Sequence, residues 1–235
     1  MPSAERSFGI SIIQEETMTL IAFEGIDGAG KSTQIARLAD WLGKRGHKTL
    51  VTCEPTHHGH GKRIREAVPR LSPKEEREAF VLDRRDHIET TIQPALQEGM
   101  IVLCDRYYYS SMAYQGTRLS DHFGLSDDAA MDALFEDIRQ ENEAFAPTAD
   151  MLILFDMSVD EALKRIAQNR PNVDSFETRD NLLRVQRAFS RVERLIRNTG
   201  KTVVTTIHVE GSPDAVTSRI QKAVLDGMAQ RGVIL

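Results

Sequence analysis

The sequence has no surplus of positive charge. Its 30 lysine and arginine residues are outnumbered by 35 aspartate and glutamate residues, which gives a net charge of -5. A protein that coats duplex nucleic acid usually carries a basic surplus, so we expect no nucleic-acid partner. Small phosphorylated ligands are compatible with this composition, because a local cluster of arginines is enough to bind them.

Cysteine is scarce, and long apolar runs are missing. Cys53 and Cys104 each end a short apolar run and form neither a CxxC pair nor a disulfide framework. We predict that both are buried free thiols in a reducing compartment. No apolar run approaches the ~18 residues of a membrane helix, so we expect no membrane partner. Residues 1–17 contain several acidic side chains, which is unlike a targeting peptide, and we expect a loosely ordered tail on a cytoplasmic protein.

Five short runs rich in branched apolar residues are typical of β-strands. None alternates strictly between apolar and polar residues, which favours a parallel sheet covered on both faces. Stretches with helical spacing separate the runs. We therefore predict a single α/β domain at 18–235, a five-stranded parallel sheet flanked by helices. The predicted strands are Thr19–Phe23, Thr49–Cys53, Met100–Cys104, Met151–Phe155 and Thr202–Val209, and helical spacing is clearest at Ile35–Leu42, Phe80–Leu96 and Leu182–Val192.

A glycine-rich loop follows the first predicted strand. The pattern Gly25-x-x-x-x-Gly30-Lys31-Ser32 is typical of a phosphate-binding loop between a strand and a helix. Its glycines let backbone N–H groups face phosphate oxygens, and the following helix adds its positive end. Lys31 can reach the β- and γ-phosphates, while the Ser32 hydroxyl can bind magnesium. The loop predicts binding of ATP or GTP with Mg²⁺ through Gly25, Asp27, Gly28, Ala29, Gly30, Lys31, Ser32 and Thr33.

The third predicted strand ends in a charged pair. Asp105 lies where a carboxylate helps to hold magnesium, and Arg106 is suited to clamp an anion. A surface ion pair is the alternative for Arg106. We interpret Tyr108 and Tyr109, which follow, as core or surface aromatics.

Three arginines lie around a Pro-Asn break in residues 162–180: Arg165, Arg170 and Arg179. Arginines on a mobile segment can close over a transferring phosphoryl group and exclude water. We therefore predict a lid at about 164–180. A solvated helix face is the alternative.

Taken together, these stretches resemble the thymidylate kinases, P-loop enzymes that phosphorylate dTMP to dTDP. The resemblance runs from about Leu20 to the C-terminal helix. It rests on FEGIDGAGKST, EPTHHGHGKRIREAV, FVLDRRDHIETTIQPAL and DRYYYSSMAYQG, followed by the arginine-bearing lid. It implies a P-loop fold, ATP as donor with Mg²⁺, dTMP as acceptor and a homodimer.

The resemblance also implies roles for individual residues. Phe80 is similar to the aromatic residue that stacks on thymine, and Arg84 to the arginine that binds the base. Ser111 falls where a small polar residue faces the base edge, and Tyr114 where an aromatic ring packs near the sugar. Core packing is the alternative for Phe80 and Tyr114. The implied acceptor site comprises Asp27, Glu54, Phe80, Arg84, Arg106, Ser111, Tyr114 and Gln115.

Within that site, Arg106 is similar to the clamp on the acceptor phosphate, and Asp27 to a carboxylate near the acceptor 3′-hydroxyl. Some members carry a catalytic arginine in the loop, where this chain has Gly28. The resemblance therefore places the catalytic charge on the lid, with Arg170 as first candidate, Arg165 next and Arg179 third. Lys31, Arg106 and Asp105 complete the catalytic set.

The chain departs from the family pattern at two positions where arginine is often found, Cys53 before Glu-Pro and Ser175 in the lid. Arg65 or His57 could compensate at the acceptor phosphate. His57, His58 and His60 also raise a zinc alternative, but their spacing and the lack of a fourth ligand disfavour it.

The nature of the acceptor separates the predicted activity from its alternatives. A nucleotide monophosphate, whose second pKa is about 6, is already largely dianionic and needs no general base. A deoxynucleoside kinase phosphorylates a hydroxyl and does need one, and Glu54 could serve. A sensor that binds nucleotide without transfer is the third reading, which Asp105, Arg106 and the lid arginines disfavour.

Overall fold

The computed structural model of the protein describes residues 19–67, 69–169, 178–233 and 235. The predicted tail at 1–17 lies outside these residues. The strands are β1 (Thr19–Gly25), β2 (Thr49–Cys53), β3 (Ile101–Asp105), β4 (Met151–Asp156) and β5 (Val203–His208). The helices are α1 (Lys31–Gly43), α2 (Gly59–Glu66), α3 (Pro73–His87), α4 (Gln93–Gln97), α5 (Tyr108–Phe123), α6 (Asp128–Glu143), α7 (Val159–Asn169), α8 (Arg179–Thr199) and α9 (Pro213–Gln230).

The five strands form one parallel sheet in the order β2-β3-β1-β4-β5, which confirms the predicted fold class. Helices α1 and α9 pack together on one face, and α5 and α8 pack on the other. All seven residues of β1 are buried, whereas Val51 on the edge strand β2 is 49% exposed. Central strands covered on both faces need apolar residues throughout, and edge strands do not.

The two cysteines are free, as predicted, but differ in burial. Cys104 on β3 is buried, which confirms its prediction. Cys53 is only half-buried, so the prediction of a buried thiol is wrong there. The reason is that Cys53 ends an edge strand at the rim of the sheet.

Strand register aligns the carboxyl ends that carry the site. Asp105 is paired with Phe23 of β1 on one side and with Cys53 of β2 on the other. From β1 the chain first crosses to β2 and β3, and later to β4 and β5 on the opposite side. Such a switch in strand order opens a crevice at the carboxyl ends, where ligands bind in α/β sheets.

The helix predicted at Phe80–Leu96 begins earlier and is not regular. It starts at Pro73 behind Ser72, whose side chain forms a capping box with Glu75. A π-helical segment, Ile88–Ile92, then separates α3 from α4. Pro94 lacks an N–H group and its ring crowds the carbonyl four residues earlier, so the wider turn relieves the clash.

Helix α8 buries one apolar stripe, as predicted, with Leu182, Val185, Phe189 and Val192 all inside the core. No helix in the described part of the chain is both long and apolar enough to span a membrane.

Candidate active site

A cavity of about 1250 Å³ opens at the carboxyl ends of β1, β2 and β3. The phosphate loop, the helices α1, α2, α3 and α5, and residues of the segment after α2 supply its other walls. Most predicted acceptor and metal residues line it: Asp27, Lys31, Ser32, Glu54, Phe80, Arg84, Asp105, Arg106, Tyr114 and Gln115. Ser111 is not among the described residues that line this cavity.

The phosphate loop passes close to the backbones of β4 and α7. Gly25 has a φ of 140° and Gly28 a φ of 80°, conformations that favour glycine. A Cβ atom at Gly25 would lie 2.8 Å from the Phe155 carbonyl oxygen, and one at Gly28 would lie 2.6 Å from that of Ala162. No side chain fits at position 28 while α7 stays in place, so a loop arginine has no room there.

Lys31 lies at the end of this loop, with 6% of its surface exposed. Its Nζ donates to the carbonyl oxygens of Gly25 and Ile26, at 3.2 Å each. Burial and the nearby Arg106 charge lower the pKa of Lys31 to about 8, although Asp105, Asp27 and Glu24 oppose the shift. The ammonium group is therefore held in a position where an added anion would stabilise its charge.

The side chains of Ser32, at the start of α1, and Asp105, at the end of β3, are in contact at the cavity. The Ser32 hydroxyl donates to Asp105 Oδ2 at 2.5 Å, although the residues lie 73 positions apart. A hydroxyl and a carboxylate are oxygen ligands of the kind that Mg²⁺ prefers. The pair fits the predicted metal site.

Arg106 lies between the loop and α5 with its backbone in the left-handed region, at φ 70°. Its guanidinium donates to Ser110 Oγ at 3.0 Å, Asp27 Oδ1 at 2.8 Å and Tyr114 Oη at 3.2 Å. Burial tends to lower its pKa, but Tyr114, Asp27 and neighbouring carboxylates outweigh burial and raise the pKa well above its ordinary value. The predicted phosphate clamp, Arg106, and the predicted loop carboxylate, Asp27, are therefore hydrogen-bonded to each other.

Glu24 is a buried carboxyl group that the sequence reasoning did not single out. It lies within β1 with no exposed surface and accepts hydrogen bonds from the backbone N–H groups of Tyr107 and Ser110. Burial raises the pKa of Glu24 to about 7, against the opposing effects of Arg106 and Ser110. The feature of the sequence that could have identified Glu24 is a charged residue within an otherwise apolar strand.

Beside the cavity, Arg84 and Glu54 form a buried ion pair, each side chain 1% exposed. Arg84 Nε donates to Glu54 Oε2 at 2.7 Å, and its Nη2 donates to Ser111 Oγ at 3.1 Å. His87 Nδ1 lies 3.1 Å from Glu54 Oε1, and Arg84 Nη1 donates to Asn142 at 2.6 Å. His87 and Asn142 were missed because these contacts join α3, α6 and the residue that follows β2, which are distant in sequence.

Among the described residues, the side chains close enough to share a metal ion are Glu54, His87 and Cys104. The Glu54 carboxylate already pairs with Arg84, whose positive charge would repel a cation. The group therefore does not fit a metal site. His57, His58 and His60 are not part of it.

Helix α2 brings Arg65 over the end of β2. Arg65 Nε donates to the Thr56 carbonyl oxygen at 3.1 Å, and Nη2 lies 3.9 Å from Cys53 Sγ. His57 Nε2 is 3.6 Å from the same sulfur. Burial raises the pKa of the Cys53 thiol, so position 53 itself supplies no charge. Arg65 lines the cavity at this point.

Aromatic and amide residues of α3 and α5 also line the cavity. Phe80 is half-buried there. Tyr114 also packs edge-on against Phe189 of α8, with ring centroids 6.0 Å apart. Gln115 is buried, and its Oε1 has no hydrogen-bond partner among the described residues. A buried unpaired acceptor that lines a cavity is suited to a polar ligand.

The predicted lid arginines differ in position. On α7, Arg165 pairs with Glu161 and approaches the loop, since a Cβ atom at Gly30 would lie 3.6 Å from Arg165 Nη1. Arg179 forms an exposed pair with Asp160 at 2.9 Å. Arg170 and Ser175 lie outside the described residues.

A parallel α/β sheet, a phosphate loop after its first strand and a cavity at the carboxyl ends of its strands define a P-loop nucleotide-binding protein. The family model described as Thymidylate kinase matches residues 23–220. A thymidylate kinase of Akkermansia muciniphila is 37% identical over 92% of this chain and 95% of its own length. One from Desulfotalea psychrophila is 39% identical over 73% of this chain and 80% of its own length. A probable thymidylate kinase of Archaeoglobus fulgidus is 42% identical over 72% of this chain and 80% of its own length. The chain belongs to the thymidylate kinase family.

Proposed function

We propose that the protein transfers the γ-phosphoryl group of ATP to dTMP, giving dTDP and ADP. The observation that carries the proposal is that Arg106 lines the same cavity as the phosphate loop, where its guanidinium is suited to bind a second phosphate. The cavity, at about 1250 Å³, has room for an acceptor nucleotide beside the donor phosphates. Family membership supplies the identity of both nucleotides.

On the donor side, the loop amides and Lys31 bind the ATP phosphates. Ser32 and Asp105 would hold Mg²⁺, which when bound neutralises charge on the phosphate oxygens. Lys31 stabilises the negative charge that develops on the transferred group. The donor residues are Gly25, Asp27, Gly28, Ala29, Gly30, Lys31, Ser32 and Thr33.

On the acceptor side, Arg106 binds the phosphate of dTMP, and Arg65 adds charge where position 53 has a neutral thiol. Asp27 lies beside Arg106 and faces the sugar. For the base, Phe80 provides a stacking face. Arg84 and Gln115 provide polar contacts, with Tyr114 near the sugar.

Ser111 and Glu54 act through Arg84, because both accept hydrogen bonds from its guanidinium. Their proposed role is to fix the plane of that guanidinium beside the base.

The transfer needs no general base, because the acceptor phosphate is already anionic. Catalysis then consists of alignment and charge neutralisation. Glu54 is poorly suited to be the base of a deoxynucleoside kinase, since it is 3% exposed and pairs with Arg84. This geometry favours a monophosphate acceptor over a nucleoside.

The lid contributes the remaining positive charge. Arg165 supports this part of the proposal, because its guanidinium lies beside the loop. Arg170 stays a proposed catalytic residue, and Arg179, paired with Asp160, is the weaker candidate. The homodimer and the cytoplasmic location stay predictions, the latter supported by two free cysteines.

A panel of acceptors tests the proposal. With ATP and Mg²⁺, we expect the purified protein to phosphorylate dTMP faster than dUMP, dCMP or thymidine, because only dTMP combines an anionic acceptor with the matching base. Coupled detection of ADP measures the rates, and chromatography identifies dTDP. Thymidine as the best acceptor would establish the nucleoside kinase instead, and ATP binding without ADP formation would establish a sensor.

The lowered pKa of Lys31 predicts a pH dependence of ATP binding. The free protein loses the Lys31 proton near pH 8, whereas bound phosphates favour the protonated form. ATP affinity should therefore fall as pH rises, by about tenfold between pH 7 and pH 9. Calorimetric titration across this range measures it. Lys31→Arg is the matched control, since a guanidinium stays protonated; an equal fall in both proteins would contradict the assignment.

A further inference from the structure

The carboxylate of Glu24 has no part in the proposed transfer, yet it is buried beside the residue that binds the acceptor. Its Oε1 accepts the N–H groups of Tyr107 at 2.8 Å and Ser110 at 3.0 Å. These groups belong to the first turn of α5, whose N-cap residue, Tyr107, offers no capping side chain. Glu24 therefore caps α5 from the neighbouring strand, where the ionised form of its carboxyl group also complements the helix dipole.

Ser110 connects this carboxylate to Arg106. The Ser110 hydroxyl donates to Glu24 Oε2 at 2.5 Å and accepts from Arg106 Nη1 at 3.0 Å. A hydroxyl has one hydrogen to donate, so the bond to Glu24 turns its lone pairs toward Arg106. With Nη1 fixed in this way, Nη2 lies 2.8 Å from Asp27.

The backbone of Arg106 also needs support. A non-glycine residue at φ 70° is in a sparsely populated conformation, which persists only where the surroundings fix it. Its own N–H group donates to the Phe23 carbonyl oxygen at 2.9 Å, and the next N–H group donates to Glu24. The backbone N–H groups of Arg106 and Tyr107 are thus both bonded to β1, one to Phe23 and the other to Glu24.

We propose that Glu24 is a positioning residue, which aims the Arg106 guanidinium at the phosphate monoester of the acceptor nucleotide. This inference rests on the proposed function, in which Arg106 binds that phosphate. The donor site makes no hydrogen bond to Glu24 or Ser110, because Lys31 bonds to the loop carbonyls, and the Glu24 charge acts on Lys31 only without direct contact. Glu24 should therefore affect the acceptor selectively.

Glu24→Gln tests the proposal, because glutamine has the same shape but lacks the charge and one acceptor oxygen. The KM for dTMP should rise about tenfold, as for the loss of a hydrogen bond to a charged group. The KM for ATP should rise less than the KM for dTMP, because Glu24 acts on Lys31 through its charge but makes no hydrogen bond to the donor site. Asp127→Asn is the matched control: Asp127 caps α6 through Ala130 N at 2.9 Å, is not among the cavity residues, and should leave both KM values unchanged.

Ser110→Ala keeps the proposal testable if Glu24→Gln does not fold. It removes the link to Arg106 while leaving both backbone bonds to Glu24, so the KM for dTMP should again rise selectively. The double variant should show less than the product of the two single effects, because both changes break one chain of contacts.

An unchanged KM for dTMP in the folded variants, or an equal rise in both KM values, would overturn the role of Glu24. Wild-type protein that does not phosphorylate dTMP would instead refute the proposed function, so the two failures are distinguishable.

Discussion

Replacing Lys31 with methionine is expected to lower kcat with ATP and dTMP by about 1000-fold, the scale on which single transition-state charge contacts act. The Lys31 ammonium is nearly buried and held 3.2 Å from two loop carbonyls, so its charge has a fixed place in the proposed donor site. Methionine preserves the length of the side chain but neither its charge nor its hydrogen bonds. Steady-state rates at saturating substrates measure the change.

Lys31→Arg is the control that keeps the positive charge at this position but changes the shape of the side chain. A guanidinium keeps the positive charge but is planar and larger than an ammonium group, so we expect a loss, but a smaller one than for methionine. A kcat within about tenfold of wild type in Lys31→Met would contradict the role of Lys31 in the transfer step.

Arg106→Ala is expected to lower kcat/KM for dTMP by about 1000-fold, with little effect on ATP binding. The change removes three hydrogen bonds, donated by two nitrogens, and the positive charge beside Asp27, so the site would attract an incoming phosphate less strongly. The remaining contacts of ATP run through the loop and Lys31. Initial rates at varied dTMP and calorimetric titration of ATP separate the two effects.

Arg106→Lys provides the matched control, because it retains charge but lacks the two-nitrogen fork that contacts Ser110 on one side and Asp27 and Tyr114 on the other. We expect it to recover part of the lost kcat/KM. Equal losses for dTMP and ATP in Arg106→Ala would indicate a damaged fold, and an unchanged kcat/KM for dTMP would remove Arg106 from the acceptor site.

The sheet could be predicted because its strands are covered on both faces. All five strands appear within two residues of their predicted ends, and β2 has its predicted bounds. Apolar content alone does not distinguish an edge strand from a central one, so the exposure of Val51 and Cys53 was not anticipated. The π-helical segment before Pro94 relieves a clash between the proline ring and the backbone, and the spacing of apolar residues does not reveal it.

The candidate site was predicted where a local motif determines the geometry. Lys31, Ser32 and the loop glycines follow from one short pattern, and Asp105 follows from its place at a strand end. The contact between Asp27 and Arg106 joins residues 79 positions apart and needed the strand register. Glu24 has no motif of its own, since its role depends on the first turn of a helix more than 80 residues later.

A crystal structure with ADP and dTMP bound together tests the central claim, that one cavity holds two nucleotides with their phosphates facing. The account predicts ADP phosphates on the loop beside Lys31. It also predicts the dTMP phosphate within hydrogen-bond distance of Arg106, about 2.7–3.2 Å, with the base against Phe80. A dTMP phosphate that contacts neither Arg106 nor Arg65, or a cavity that admits ADP alone, would contradict it.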